Sequence, residues 1–162
     1  MAMTDMQYNL ATVTDIPGMA RYRIELFAEL TNPQPANRVD VLKSLEQYFS
    51  HAIPDKTYVG WLARAEGRFA GMGGFTVREQ PGNFRNPGGR TAYIMNMYTV
   101  PAYRKQGVCA TLLQKLMNTA GEMGIDAFEL HASKFGEPIY QKAGFKQHTE
   151  PTYRKYGFEW TI

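Results

Sequence analysis

The sequence predicts an α/β protein whose central sheet is mixed. Three observations predict this class. Segments with strand-like alternation and segments with helical periodicity follow one another in the order β-α-α-β-β-β-α-β-α-β-β. Residues 91–100 (TAYIMNMYTV) are almost continuously apolar, which is typical of a strand inside a sheet. A glycine-containing turn then joins that strand to an amphipathic helix. No linker or internal repeat divides the 162 residues, so we expect one domain over residues 1–162.

The first third of the chain predicts one strand and two helices. Residues 7–13 alternate like a half-buried strand, and Thr14 or Asp15 can cap the helix that follows. This helix should end before residues 31–35, which have loop chemistry, and a second helix fits residues 37–52. The apolar residues expected to face inward are Ile16, Ala20, Ile24 and Phe27 in the first helix and Val41, Leu45, Tyr48 and Phe49 in the second.

The middle of the chain predicts a hairpin, a loop and an inner strand. Residues 57–65 and 69–77 are predicted strands, and the Glu66-Gly67 pair between them suits a tight turn. Residues 79–90 are rich in Pro, Gly and Asn and predict an irregular loop, either a plain hairpin tip or a lid over a substrate. The inner strand over residues 91–100 follows.

The last third predicts a long helix, a short strand and a terminal helix. The long helix spans residues 107–123, and residues 126–131 predict the strand. Ser133 is placed to cap a helix that runs to residue 143, in which Pro138 should kink or shorten the start. Residues 145–149 and 153–160 predict a closing pair of strands. The long helix is expected to face the sheet with Leu112, Leu113, Leu116, Met117, Ala120 and Met123.

The turn before the long helix has the features of an anion site. Main-chain N–H groups at the start of a helix point toward one place and carry the positive end of the helix dipole. Arg104 and Lys105 precede Gly107, where the lack of a side chain lets the backbone approach an anion closely. Phosphate is the natural occupant of such a turn. Many structural turns also contain Gly and Arg, so an ordinary connection is the alternative.

The sequence after this turn resembles the GNAT superfamily of N-acetyltransferases. Arg104, Gly107 and Cys109 stand in the order R-x-x-G-x-[GA], with Cys where Gly or Ala is usual, and Tyr140 and Gly144-Phe145 form Y-x-x-x-G-F. Residues 130–140 (LHASKFGEPIY) resemble a variant of uncharacterised bacterial members in which Ser stands where many relatives carry Asn. The resemblance extends from about residue 92 to residue 150.

The resemblance implies both a fold and an activity. The fold is a mostly antiparallel central sheet flanked by four helices, in which the fourth and fifth strands splay apart at one end. The activity is transfer of an acetyl group from acetyl-CoA (coenzyme A) to a primary amine of a small molecule or peptide. The residues implied to bind the cofactor are Met97, Tyr98 and Thr99 along the pantetheine arm, Arg104, Lys105, Gln106, Gly107, Val108, Cys109 and Ala110 around the pyrophosphate, and Ser133.

The resemblance also implies catalytic residues. Tyr140 is implied to protonate the departing thiolate, and a core tyrosine is the alternative. His131 is a candidate general base, and a buried, hydrogen-bonded strand histidine is the alternative. One hypothesis for Cys109 is that its position at a helix N-terminus lowers its thiol pKa. The favoured explanation for the cysteine is that a small residue fills a tight turn. The residues that could contact the acceptor are Asn96, Tyr98, Glu25 and Glu29, and a solvated helix face would equally explain the two glutamates.

Composition excludes several classes of function. The hydrophobic content of 44% indicates a folded globular chain. The net charge of +3 is mild and the basic residues are scattered, so we expect no nucleic-acid partner. No apolar run has membrane length, so we expect no membrane partner and a cytoplasmic location. One cysteine and three histidines without ligand spacing predict no metal, and neither a dinucleotide nor a P-loop motif is present.

A second class of function and an assembly state also follow as expectations. A non-catalytic acyl-CoA-binding sensor or interaction module on the same fold would keep the anion turn but need no acid at Tyr140. A homodimer is expected through edge strands and through the aromatic C-terminal segment. That segment contains Tyr153, Tyr156, Phe158 and Trp160.

Overall fold

A computed structural model of the protein describes residues 4–30, 37–155 and 157. The chain divides after His131 into two compact units, residues 1–131 and residues 132–162. Among the described residues, those of the first unit form the sheet and those of the second unit form one helix. The single domain expected over residues 1–162 stays a prediction.

The first unit is a five-stranded sheet with three helices. The strands lie in the order β1-β2-β3-β4-β5, and all neighbours are antiparallel except β4 and β5, which are parallel. This confirms a mixed, mostly antiparallel sheet. In chain order the elements are β1 (Met6–Leu10), a 3₁₀ turn (Val13–Asp15), α1 (Ile16–Leu30), α2 (Arg38–Ala52), β2 (Tyr58–Ala65), β3 (Arg68–Glu79), β4 (Arg90–Thr99), a second 3₁₀ turn (Pro101–Tyr103), α3 (Val108–Glu122) and β5 (Phe128–Leu130).

Apolar side chains cover both faces of this sheet. One face packs against α1 and α2 through Met19 and Phe49, and the other packs against α3 through Val108 and Leu112. Each of these side chains is at most 1% exposed. Full burial of such a side chain stabilises the fold by about 1.5–3 kcal/mol. Because the sheet is covered on both sides, the positions left for chemistry are its edge and the ends of its strands.

A β-bulge interrupts the pairing of β3 with β4. Met95 pairs with Gly74 and Tyr98 pairs with Met72, so two residues of β4, Asn96 and Met97, lie opposite the single residue Gly73. Asn96 has φ +60°, a left-handed conformation that is uncommon for a residue with a side chain. The bulge redirects the side chains at the end of β4.

The pairing of β4 with β5 is short. It covers Ala92 to Ile94 of β4, whereas β4 itself continues to Thr99. No described strand pairs with this edge of β4 over residues 95–99. The fold that the resemblance implied has two strands that part in the same way.

Several local expectations require correction in the first unit. The helix start is capped by a capping box, in which Thr12 N–H donates to Asp15 Oδ2 at 2.8 Å, and not by Thr14. Phe27, Val41 and Tyr48 were expected to face inward but are 48%, 40% and 45% exposed. The reason is that α1 and α2 leave a groove between them, which Phe27 and Val41 line.

The second unit has one short helix, α4 (Glu137–Lys142). The helix begins after Ser133, at Glu137, as expected from the presence of Pro138. Pro138 lies in the first turn of the helix, where a missing N–H has little cost. Ser133 instead closes the preceding turn, because its Oγ accepts a hydrogen bond from Gly136 N–H at 3.3 Å.

The prediction of a closing pair of strands is wrong for those of its residues that the structure describes. Residues 145–155 form no strand, and residues 156 and 158–160 lie outside the described residues. Local sequence alone does not make a strand, since the main-chain groups also need a neighbouring strand to bond. Among the described helices none is both long and apolar enough to cross a lipid bilayer.

Candidate functional site

The turn between β4 and α3 leaves its main-chain donors open. Gly107 is the N-cap of α3 with φ +78°, and no side chain caps the helix. The first helical bond of the turn is Thr111 N–H to Gly107 O at 3.0 Å, so the N–H groups of Val108, Cys109 and Ala110 have no partner within the helix. A Cβ at Gly107 would meet nothing within 4 Å, so open space lies beside the turn. This arrangement suits an anion.

Arg104 holds the turn in place through its side chain. Its Nε donates to Thr99 O at 2.9 Å, and its NH2 donates to the two carboxylate oxygens of Glu29 at 2.8 and 3.1 Å. Both partners of this ion pair are nearly half exposed, so it contributes at most about 1 kcal/mol. Because the Arg104 guanidinium already binds Glu29, the turn offers an anion its main-chain N–H groups and not this guanidinium.

The last residues of β4 face both layers of the first unit. Met97 packs with the core beneath α3, and Tyr98 packs with the core beneath α1 and α2. Tyr98 donates its hydroxyl to Glu29 at 3.3 Å. Burial and then the nearby Glu29 charge raise the pKa of Tyr98, so its phenol stays protonated at neutral pH. The structure thus brings together Tyr98, Thr99, Arg104 and Glu29, all of which the sequence singled out.

Asn96 of the bulge is turned toward the interior. Its side chain is 3% exposed, its Nδ2 donates to Tyr58 Oη at 2.9 Å, and its Oδ1 accepts from Arg23. Burial raises the pKa of Tyr58 to about 12. Both ends of the Asn96 amide therefore have partners within the protein.

A groove of about 560 Å³ lies between α1 and α2, and Arg23 is one of the residues that line it. We call it the helix groove. Its lining includes the apolar side chains Ile24, Phe27, Val41 and Leu45 and the charged side chains Arg38 and Asp40. Arg38 pairs with Glu25 at 2.5 Å. Of the two glutamates expected to meet a cationic acceptor, Glu25 is thus paired with Arg38 and Glu29 with Arg104.

Sequence reasoning missed Arg23 and Tyr58. Arg23 stands seven residues after Ile16 and three after Ala20, both of which are buried in α1. It therefore occupies an inward position of the helix. A charged residue on the inward face of a helix indicates that its side chain meets either a polar partner or a cavity, and the sequence alone shows this position. Tyr58 carries no comparable signal, because a tyrosine at the start of a strand is ordinary.

His131 lies directly after β5 and is exposed. Its Nδ1 is hydrogen-bonded to the hydroxyl of Tyr93, the β4 residue that pairs with Glu129. The ring of Tyr93 is in turn covered by the Arg78 guanidinium at 3.6 Å. A buried strand histidine was the alternative to a base, and the exposure of His131 does not fit that alternative.

Two further predicted residues have clear surroundings. Cys109 is partly buried, and burial raises the pKa of its thiol to about 11. The hypothesis of a lowered thiol pKa is therefore wrong, since the loss of water outweighs the helix terminus. Tyr140 is buried on α4, with its ring edge-on to Phe145 at 6.1 Å. A Cβ at Gly136 would lie 2.7 Å from that ring.

The described residues contain no group of three or more His, Cys, Asp or Glu side chains arranged to hold a metal ion.

Comparison with known proteins agrees with the fold. Residues 30–161 match a family model described as an acetyltransferase (GNAT) domain. The match covers most of the chain, and the protein belongs to the GNAT acetyltransferase family. No curated protein sequence is significantly similar to this chain.

Solved structures of acetyltransferases are similar to this chain. A predicted acetyltransferase from Clostridium acetobutylicum, determined with acetyl-CoA, is 30% identical with a TM-score of 0.84, over 93% of this chain and 96% of that one. A GCN5-related N-acetyltransferase from Ralstonia eutropha is 24% identical with a TM-score of 0.84, over 93% and 99%. An aminoglycoside N-acetyltransferase in complex with CoA is 14% identical with a TM-score of 0.70, over 97% and 98%. The last two show a shared fold.

Proposed function

We propose that this protein transfers an acetyl group from acetyl-CoA to a primary amine of a small molecule or peptide. The observation that carries the proposal is the uncapped first turn of α3, which comes after a β4 strand whose edge has no described strand partner over residues 95–99. Family membership supports it, as does the similar Clostridium structure that holds acetyl-CoA.

In this proposal the cofactor lies along β4 and the following turn. Its pyrophosphate accepts hydrogen bonds from main-chain N–H groups between Arg104 and Ala110. Its pantetheine arm pairs with the open edge of Met97 to Thr99 like an added strand. A main-chain N–H in this segment polarises the thioester carbonyl, and such donors contribute about 3–4 kcal/mol to catalysis. Ser133 stays a predicted cofactor contact from the motif.

The reaction then requires two proton transfers. The neutral amine attacks the thioester carbonyl, and the carbon–sulfur bond breaks as the amide forms. The departing thiolate takes a proton from a general acid, for which the motif predicts Tyr140. The amine must lose a proton to a base, for which His131 is the candidate.

The contact with Tyr93 determines what His131 can do. A neutral imidazole has one N–H and one lone pair, and a hydrogen bond at one nitrogen selects the tautomer. If Nδ1–H donates to Tyr93 Oη, Nε2 keeps the lone pair that accepts the proton of the amine. Tyr93 is then a positioning residue that no feature of the sequence indicated.

Replacing His131 by Ala is expected to lower kcat/KM about tenfold at neutral pH and to flatten the acidic limb of its pH profile. The effect lies below the 100-fold typical of an enclosed base because water can partly replace an exposed one. Tyr93→Phe should give a smaller loss with the limb retained. His51→Ala is a control, since His51 is bonded to Gln47 O on α2. An unchanged limb in His131→Ala would eliminate this residue as the base.

The activity itself is tested by measuring thiol release from acetyl-CoA across a panel of primary amines, with acetyl-CoA binding measured in parallel. We expect amine-dependent release with at least one class of acceptor. Tight binding without release on any amine would instead support the sensor or interaction module.

A homodimer and a cytoplasmic location stay predictions. Tyr153, the described aromatic residue of the C-terminal segment, is exposed.

A further inference from the structure

Arg23 is a half-buried cation without an acidic partner among the described residues. The ion pairs formed in the described part of the chain do not include it. Its NH1 donates to Asn96, and its guanidinium lies 4.7 Å from the centre of the Phe27 ring. Burial lowers the pKa of Arg23, which shows that its charge has lost part of its hydration. A guanidinium has five N–H donors, and this one uses a single nitrogen for its side-chain hydrogen bond.

The other charges of the helix groove are already paired or are acidic. Arg38 binds Glu25, and Asp40 adds a carboxylate in the first turn of α2. A phosphate dianion in the groove would face Asp40 with only Arg23 to compensate it. A carboxylate is a monoanion, and a single guanidinium can bind it through two parallel hydrogen bonds. The charge balance of the groove therefore favours a carboxylate.

We propose that the acceptor is an amine that also carries a carboxylate, and that Arg23 binds this carboxylate in the helix groove. The apolar side chains of Ile24, Phe27, Val41 and Leu45 would cover the body of the acceptor. Asn96 fixes Arg23 to the bulge of β4, next to the segment proposed to hold the thioester. This inference rests on the proposed acetyl transfer, and it assigns acceptor recognition to Arg23 instead of Glu25 and Glu29.

The test compares acceptors of matched shape with and without the carboxylate: leucine with leucinamide, and 6-aminohexanoate with 6-aminohexanamide. In the second pair the amine lies too far from the carboxyl group for its basicity to change much, so that pair isolates the charge. We expect kcat/KM to favour the carboxylate of the second pair tenfold to a hundredfold, as for a hydrogen bond to a charged group. In Arg23→Gln, the ratio of kcat/KM for the carboxylate to kcat/KM for the amide should fall at least tenfold in both pairs. The change should arise mainly from the KM for the acceptor, while the KM for acetyl-CoA stays constant. Arg23→Lys should keep part of the preference. Arg21→Gln is the matched control, because it removes the same charge from an exposed position of the same helix.

Equilibrium binding separates this inference from the proposed reaction. The probes are N-acetylleucine and N-acetylleucinamide, titrated by calorimetry into the protein with CoA present. Tighter binding of the acid that is lost in Arg23→Gln and partly kept in Arg23→Lys supports the carboxylate site even if no amine is acetylated. Three results would overturn the carboxylate site. They are equal binding of the two probes, a carboxylate-to-amide ratio of kcat/KM near one for both amine pairs, and a preference for phosphoethanolamine over the amino carboxylates.

Discussion

Replacing Tyr140 by Phe is expected to lower kcat about 100-fold, the lower end of the range for loss of a general acid. Only the hydroxyl is removed, so the ring should keep its edge-on contact with Phe145 and its place beside Gly136. Acetyl-CoA affinity should therefore stay within about twofold of the original value, because the proton is needed only as the thiolate leaves. The measurements are steady-state kinetics and calorimetric titration with acetyl-CoA.

Tyr153→Phe is the matched control for this prediction. Tyr153 also belongs to the second unit but is 91% exposed, so its hydroxyl should not affect turnover. Thermal unfolding of both variants checks that any loss is chemical and not structural. Full activity in Tyr140→Phe would remove Tyr140 from the mechanism and leave it as a core tyrosine of the Y-x-x-x-G-F segment.

Replacing Gly74 by Ala is expected to destabilise the protein by about 3 kcal/mol. A Cβ at this position of β3 would lie 2.0 Å from Tyr58 Oη, and Tyr58 is only 1% exposed. The ring must move, which overpacks the core, and its hydroxyl then loses the hydrogen bond from Asn96. Overpacking costs about 1–3 kcal/mol, and an unsatisfied buried polar group adds about 1–3 kcal/mol.

Urea denaturation of the wild type and two variants measures this effect. Gly121→Ala is the control, because a Cβ there meets nothing within 4 Å and Gly121 lies inside α3. Alanine in a helix is favoured over glycine by about 0.8–1 kcal/mol, so the control should be more stable than the wild type. Similar free energies of unfolding for Gly74→Ala and the wild type would show that Tyr58 is not fixed against β3.

The elements with strong local signals could be predicted from the sequence. The hairpin of β2 and β3, the helix α3 and the mixed sheet follow from periodicity and from glycine placement. Gly107 indicated the turn because its conformation and its missing side chain are both local properties. These features need no knowledge of what lies across the sheet.

Features that depend on partners distant in sequence could not be predicted. The bulge at Asn96 adds one residue to a strand that reads as a continuous apolar run, so nothing local reveals it. The inward position of Arg23 was visible, but its bond to Asn96 joins residues 73 positions apart. Phe27 and Val41 have the spacing of core residues, and only the separation of α1 from α2 exposes them. Residues 145–149 were predicted as a strand, but they have no described neighbour to pair with.

The bonded series Arg23–Asn96–Tyr58 has a consequence for how acceptor preference can evolve in this chain. Changing Arg23 alone leaves the Asn96 carbonyl without its donor, and changing Asn96 alone leaves both the arginine and the phenol without their partner. Such intermediates lose stability before any new preference appears, because unsatisfied buried polar groups each cost about 1–3 kcal/mol. The effects of substitutions at these three positions should therefore depend on one another, and a lineage would have to cross this epistatic barrier with coordinated replacements.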